Sequence, residues 1–371
     1  MKRNWMILVL MTLAMLTFVA CSSDDGGGDD PSDPTGPTVP GDGTFAGVAF
    51  NDFSDDARRV LPPVYSRTKS AADSLWHDGE FPILGKVFSD EESMSIHRNI
   101  DEHDITMMQI EEFVQQVSEY EAEHGELPDG PIDFQGGEFG DGTLTFNLAE
   151  PTTPIAVPAV CQTVFGRTEV AVDYVMQVSI QYDGGEGFES PYFGFTTGGQ
   201  TEVVYYWSVG YDDDGQPDGS QLFYAVKDTL TDEIEIAGAY FKPDGPGDED
   251  RCNWVYHLTG NADMEFTYNM GWYSESPEFQ LFGCVQGSGD KDSEFGLRYH
   301  QYTDTSGWDE IDPWYVSEQI FGPVGDEDFA FIEEAERSGT IEDYVDATVM
   351  YQRDDSPLDE IPNPFAGLFT R

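Results

Sequence analysis

The sequence predicts an α+β fold that is mainly β: short N-terminal helices, then a long antiparallel meander, half-barrel or sandwich-like, and a mixed C-terminal tail. Three observations predict it. Near Gly142 the spacing of apolar residues changes from about 3.6 to 2. At least eight alternating segments then follow at close spacing, separated by polar turns. Nothing between them is long enough for the crossover helix that parallel neighbours require.

The helical elements come first. Ser66 can cap a short helix through Leu75 and Trp76 that stops at Gly79, and Pro62 and Pro63 break anything earlier. Ser89-Asp90-Glu91-Glu92 has the form of a capping box. The clearest helix begins after Asp104, where Met107, Ile110, Phe113, Val114, Val117 and Tyr120 share one stripe and Gly125 supplies the stop. A connector holding His97, Asp101, His103 and Asp104 precedes it. Those four side chains carry metal-ligating groups, but a spacing of six between the histidines is poor for one helical face.

The strands follow. Val170, Val172, Tyr174, Met176, Val178, Ile180 and Tyr182 alternate with polar residues, which predicts one long strand ending at Asp183-Gly184-Gly185. Val203, Tyr205, Trp207, Val209 and Tyr211 form the next face, followed by Leu222, Tyr224 and Val226, and by Ile234 and Ile236. Cys252, Trp254, Tyr256 and Leu258 lead through a Gly260-Asn261 turn into Met264, Phe266, Tyr268, Met270 and Trp272. Further strands run from Phe279 to Val285 and from Phe295 to Tyr299. In the tail, a short helix is expected around Phe329 to Glu336 and a strand from Thr348 to Gln352. Such a sheet hides its apolar face by closing or stacking on itself, or by curling around the helices. Helices followed by a long curved sheet look like the half-barrel of lipoprotein carriers and related exported lipid-binding proteins, a likeness of element order alone.

The N-terminus has a separate logic. Lys2 and Arg3 precede an uncharged apolar run from Trp5 to Ala20, the layout of a secretory signal. The run is shorter than the roughly 20 apolar residues of a membrane span, and Ser22, Ser23, Asp24 and Asp25 follow in place of a basic stop-transfer flank. It ends in Phe18-Val19-Ala20-Cys21, which resembles the lipobox of bacterial lipoproteins, although leucine is usual where Phe18 stands. The resemblance implies cleavage before Cys21, acylation of that cysteine (diacylglycerol on the thiol, a palmitate-type chain on the amine) and anchoring in a membrane. With Ser22 next to the cysteine it favours the outer membrane of a bacterial envelope, in either leaflet. The alternative is ordinary cleavage near Ala20 and release.

Residues 1–20 are thus read as signal peptide and 21–43 as lipidated cysteine plus tether. Residues 44–371 form a single globular domain: helical over 54–125, β-rich over 142–303 and mixed over 304–371. The tether is built from Ser, Asp, Gly, Pro and Thr with a single Val39, so it cannot bury enough apolar surface to offset the entropy of ordering. Its aspartates repel one another and extend it.

Composition narrows the function classes. The formal charge of -55, with 17 Lys and Arg against 72 Asp and Glu, opposes binding to nucleic acid phosphate. A solvated acidic surface keeping an exported protein soluble is the plain reading, and collection of cations the sharper one. Aromatics at 13% supply ample core. Apart from Cys21, three cysteines remain, enough for one disulfide with one thiol over. Cys252 with Cys284 closes the shortest loop.

Candidate chemistry is sparse. The segment Asp212 to Gly219 is dense in oxygen ligands, and Asp212, Asp214 and Asp218 make a candidate calcium site, with no other cofactor expected; it lacks a closing glutamate, so a hairpin loop with Asp and Gly placed for turn geometry is the plain reading and calcium the sharper one. His257 and His300 fall on polar strand phases and are expected at the surface. No G-x-S-x-G, H-E-x-x-H, P-loop or dinucleotide pattern occurs, so catalysis has no motif behind it. Tyr206 and Tyr273 are out of phase with the apolar face and are the candidates for exposed aromatic contact with a sugar ring or an apolar ligand. The expectation is a noncatalytic ligand-binding or envelope-structural lipoprotein. A tethered hydrolase acting on polymers and a lipid-binding half-barrel are the alternatives. The membrane would be met through the anchor, and glycan, lipid or an envelope protein are the partner classes left.

Overall fold

A computed structural model describes residues 45, 48, 53–61, 96–128, 130–137, 140–182, 187–211, 217–242, 251–276, 279–304, 314–323, 329–337 and 361–369. The signal, the tether, the Ser66 helix, the Ser89 capping box and the Thr348 strand lie outside them.

Among the described residues there are three helices: α1 (Phe53–Val60), α2 (Ile96–His124) and α3 (Ala159–Phe165). Two short strands, β3 (Ile155–Ala156) and β4 (Glu169–Val170), pair as a ribbon. The other thirteen form one antiparallel sheet, β1-β2-β5-β6-β7-β8-β9-β10-β11-β12-β13-β14-β15 in lateral order. They are β1 (Pro131–Gly137), β2 (Gly140–Ala149), β5 (Tyr174–Tyr182), β6 (Gly187–Phe195), β7 (Thr201–Tyr211) and β8 (Pro217–Asp228), followed by β9 (Glu233–Lys242), β10 (Arg251–Gly260), β11 (Glu265–Ser276), β12 (Phe279–Asp290), β13 (Phe295–Asp304), β14 (Trp314–Pro323) and β15 (Phe329–Arg337). The sheet is mainly a meander and is not closed into a barrel.

Helix α2 starts well before the stripe visible after Asp104, so the expected connector is helical. Polar residues hide its beginning, because Asn99 and His103 point inward with Ile100 and are themselves buried. Its end is the expected one: Gly125 adopts φ 76°, and its N–H donates to the Glu121 carbonyl at 2.7 Å.

From β5 to β10 both faces of the sheet are packed. On one, α1 and α2 bring Phe53, Val60, Met107, Ile110, Phe113 and Val117 against Met176, Val178, Phe193, Val204, Phe223, Ile236 and Leu258. On the other, α3, the β3–β4 ribbon and residues 361–369 bring Cys161, Phe165, Ile361 and Phe365 against Val175, Val203, Tyr205, Trp207, Leu222, Tyr224 and Val255. A strand covered on both sides alternates between two cores, not between core and water. Strand β7 shows it: Val204 and Tyr206 enter the first core, Val203, Tyr205 and Trp207 the second.

Two further elements differ from expectation. The strand expected from Val170 to Tyr182 breaks at 171–173, where the Asp173 N–H donates to the Phe195 carbonyl and its carboxylate accepts from the Thr197 N–H, both at 2.9 Å. Val170 thereby joins the ribbon. The helix expected around Phe329 to Glu336 is strand β15, paired antiparallel with β14 through a register shift. Ladder pairing overrides the helix propensity of Ala330, Glu333, Glu334 and Ala335.

Candidate functional site

Among the described residues, two of the places where polar side chains converge lie between the sheet and the helices that cover it. The first is at the end of α3. Tyr224 on β8 stands opposite Ala237 on β9, and Ala237 opposite His257 on β10, so Tyr224 and His257 share a row on the second face. Glu235 lies two residues along β9 on that same face. Helix α3 ends at Gly166 with φ 62°, a left-handed conformation that turns the chain back and delivers Arg167.

Glu235 is the hub. Arg167 Nη2 binds Glu235 Oε2, while the Tyr224 hydroxyl donates to Oε1 and His257 Nε2 lies 2.8 Å from the same oxygen. The Tyr224 hydroxyl also sits 3.2 Å from the Phe165 carbonyl at the helix end, and the Arg167 guanidinium lies 4.4 Å above the Tyr224 ring centre. The side chains of Arg167, Glu235 and His257 are 27%, 22% and 17% exposed, a half-dry setting in which charge-assisted hydrogen bonds strengthen. Desolvation pushes the Glu235 carboxyl upward, but the hydrogen bonds from His257 and Tyr224 and the Arg167 charge outweigh it, so its pKa lies below the usual value. Burial and then the Glu235 charge push the Tyr224 phenol up. Both carboxylate oxygens are occupied from within the protein. The cluster therefore fastens α3 to three consecutive strands.

The second place lies between α2 and the centre of the sheet. Tyr256 on β10 faces Gly238 on β9, and its hydroxyl meets His103 Nε2. His103 lies against the Phe223 ring at 4.2 Å between centroids, and its Nδ1 is buried without a hydrogen-bond partner. Desolvation lowers the His103 pKa to about 3, so the imidazole is neutral at ordinary pH. One turn earlier, Asn99 Nδ2 and the Tyr268 hydroxyl approach Met270 Sδ at 3.9 and 3.0 Å. A stripe of polar atoms thus crosses an otherwise apolar interface.

The residues singled out from the sequence are dispersed. Asp212 and Asp214 lie outside the described residues, and Asp218 is described only as backbone at the start of β8. Among the described residues no group of three or more His, Cys, Asp or Glu side chains could hold a metal ion. His103 turns inward to Tyr256 and Asp104 pairs with Arg58, so these two do not converge. Tyr206, expected to be exposed, is 7% accessible and stacks on Phe223 at 4.9 Å, because α2 covers the face onto which its phase directs it. Burial pushes its phenol up to about 12. Tyr273 and His300 are described only as backbone of β11 and β13. His257, expected at the surface, is half-buried beside Glu235.

The register also takes the expected Cys252–Cys284 disulfide out of reach. Cys252 is level with Ser274 of β11 and hence with Leu281 of β12, three residues from Cys284, with β11 between. At about 4.8 Å per strand and 3.4 Å per residue the Cα atoms lie some 14 Å apart, against a limit of about 7 Å. Cys161 is a free, buried thiol.

Sequence reasoning missed Arg167, Tyr224 and Glu235 as a group. The available signals were faint: a cation directly after a helix-ending glycine, and a histidine and a glutamate set among apolar strand residues. Comparison with family models, with curated proteins and with solved structures finds no match to this chain.

Proposed function

We propose that the chain is an exported lipoprotein, held at a bacterial membrane by acyl chains on Cys21, whose β-rich domain works noncatalytically as an envelope-structural or ligand-binding module. The observation that carries this reading is the sequence Phe18-Val19-Ala20-Cys21 at the end of an uncharged apolar run, followed by an Asp-, Gly- and Pro-rich spacer. Two or three acyl chains anchor stably where one would not, since each buried methylene adds about 0.8 kcal/mol. The acidic spacer holds the domain off an anionic lipid surface.

The packing favours the noncatalytic reading over its alternatives. A lipid-binding half-barrel needs an apolar sheet face left open to acyl chains, and here Ile110, Phe113 and Val117 of α2 pack on the apolar face formed by Met176, Val178, Phe193, Val204 and Phe223. For a hydrolase, the nearest approach to acid–base machinery among the described residues is the Glu235–His257 pair, and the Glu235 oxygens are already taken by Arg167, Tyr224 and His257. A net charge of -55 opposes nucleic acid as a partner and suits contact with basic protein or neutral glycan surfaces.

Intact-mass analysis of the membrane-fraction protein and of a Cys21→Ser variant tests the anchor. Wild type carries acyl mass and sediments with membranes, and the variant loses both; an unacylated wild type in the soluble fraction would overturn the reading. Hydrolysis of envelope polysaccharide by the purified chain, abolished by Glu235→Gln, would overturn the noncatalytic part.

A further inference from the structure

An aromatic chain runs outward from the buried His103. The Tyr256 ring is 5.5 Å from the His103 ring, Trp254 is 5.7 Å from Tyr256, and Tyr240 is 5.7 Å from Trp254, the latter two pairs stacked. Tyr256 is 1% exposed, whereas Trp254 and Tyr240 are half-buried, so the series climbs from interior to surface. Sheet geometry builds it: Trp254 and Tyr256 are two apart on β10, on one face, and Tyr240 is the register partner of Trp254 on β9. On the inner side, Phe223 and Tyr206 continue at 4.2 and 4.9 Å, but phenylalanine is hard to oxidise. Phe223 separates Tyr206 from His103, so the unbroken run of oxidisable rings from Tyr256 leads outward.

Tyrosine gives up an electron at moderate potential only if its phenolic proton has an acceptor in place. Tyr256 has one, since its hydroxyl meets His103 Nε2. With Nδ1–H as the protonated nitrogen, Nε2 offers its lone pair to that proton.

We propose that Tyr256 is an oxidisable tyrosine, with His103 as its proton acceptor and Trp254 and Tyr240 as the route by which its electron reaches a one-electron oxidant at the surface. The oxidant class is a small radical such as carbonate or peroxyl, of the kind an exported protein meets. The oxidant gains one electron at Tyr240, and the hole passes through Trp254 to Tyr256. There the O–H bond breaks, the proton moves to His103 Nε2, and a neutral phenoxyl radical and an imidazolium remain. Reduction by an external thiol or ascorbate through the same rings reverses the sequence. Burial disfavours the imidazolium, so the proton returns to the phenoxyl oxygen as soon as an electron arrives and the radical is short-lived.

The chain has 18 tyrosines, so the test must report on one of them. Full-length protein carrying 3,5-difluorotyrosine at position 256 is oxidised by flash-generated tris(bipyridine)ruthenium(III), freeze-quenched and examined by electron paramagnetic resonance. The expected radical shows fluorine hyperfine splitting, and Trp254→Phe lowers its yield at least tenfold while thermal unfolding shows that variant folded. A tyrosyl signal without fluorine splitting, or a split signal indifferent to Trp254→Phe, overturns the proposal.

Discussion

Tyr256 occupies the space over Gly238: a Cβ at that glycine would stand 2.6 Å from Tyr256 Cε1 and 2.9 Å from its hydroxyl oxygen. The missing side chain on β9 lets the phenol of β10 reach His103 on α2. The backbone of Gly238 is ordinary, so the requirement is for room. Gly238→Ala should force the ring aside, cost about 1–3 kcal/mol in urea unfolding, and cost much less in a Tyr256→Leu background. Equal costs in the two backgrounds would show that the ring is not what the methyl meets.

Stability should fall as acid reaches His103. Its folded pKa of about 3 lies below the unfolded value of 6.5, so the unfolded chain takes up the proton first. The contribution is fully present above about pH 6.5 and is lost as pH drops toward 3, on the order of 4–5 kcal/mol in all. His103→Gln, which keeps a polar group for Tyr256, should flatten the curve between pH 6.5 and 4.5. The depressed carboxyl of Glu235 acts lower down: its contribution is present above the unfolded carboxylate pKa near 4.5 and is lost as pH falls through the folded value. Titrating urea midpoints for both proteins separates the windows.

Glu235→Ala removes the one acceptor that three partners share. Arg167, Tyr224 and His257 would each lose the group they share, at a cost of about 2–4 kcal/mol. Glu235→Gln keeps the shape and an acceptor for Tyr224 and should cost roughly half as much. Chemical denaturation of both variants checks the order; if glutamine were the costlier substitution, the clamp reading would fail.

What the sequence shows and conceals follows from periodicity. Strands β7 to β11 are visible because aromatic and β-branched residues recur at every second position. That their out-of-phase residues are also buried is not visible, since covering Tyr206 requires α2, a distant segment. The start of α2 is hidden because Asn99 and His103 occupy inward positions where apolar residues define a stripe. The Glu235 cluster gathers residues 167, 224, 235 and 257 through strand register, and spacing in one chain does not encode register.

Cys161 should behave as an inert thiol in the native protein. It lies inside the second core, and burial pushes its pKa up to about 12, so hardly any thiolate exists at neutral pH. Labelling with a disulfide reagent should be at least a hundredfold slower in buffer than in concentrated urea. Fast labelling at position 161 under native conditions, in a variant with the other cysteines replaced by serine, would mean that α3 opens readily.

Residues 361–369 act as a strap across the second face. The Trp207 indole N–H donates to the Ile361 carbonyl at 2.9 Å, and the Ile361 N–H donates to Ser220 Oγ at 3.0 Å, fixing the strap on β7 and β8. Phe365 then inserts between Tyr205 at 5.2 Å and Tyr192 at 6.3 Å. Phe365→Ala should empty a dry pocket and cost about 3–4 kcal/mol. Because Trp207 is buried under the strap, loss of the strap should also expose its indole to water. A red-shifted emission that Trp207→Phe removes would identify the strap as the element released, while a destabilised variant with unshifted Trp207 emission would place the cost elsewhere in the second core.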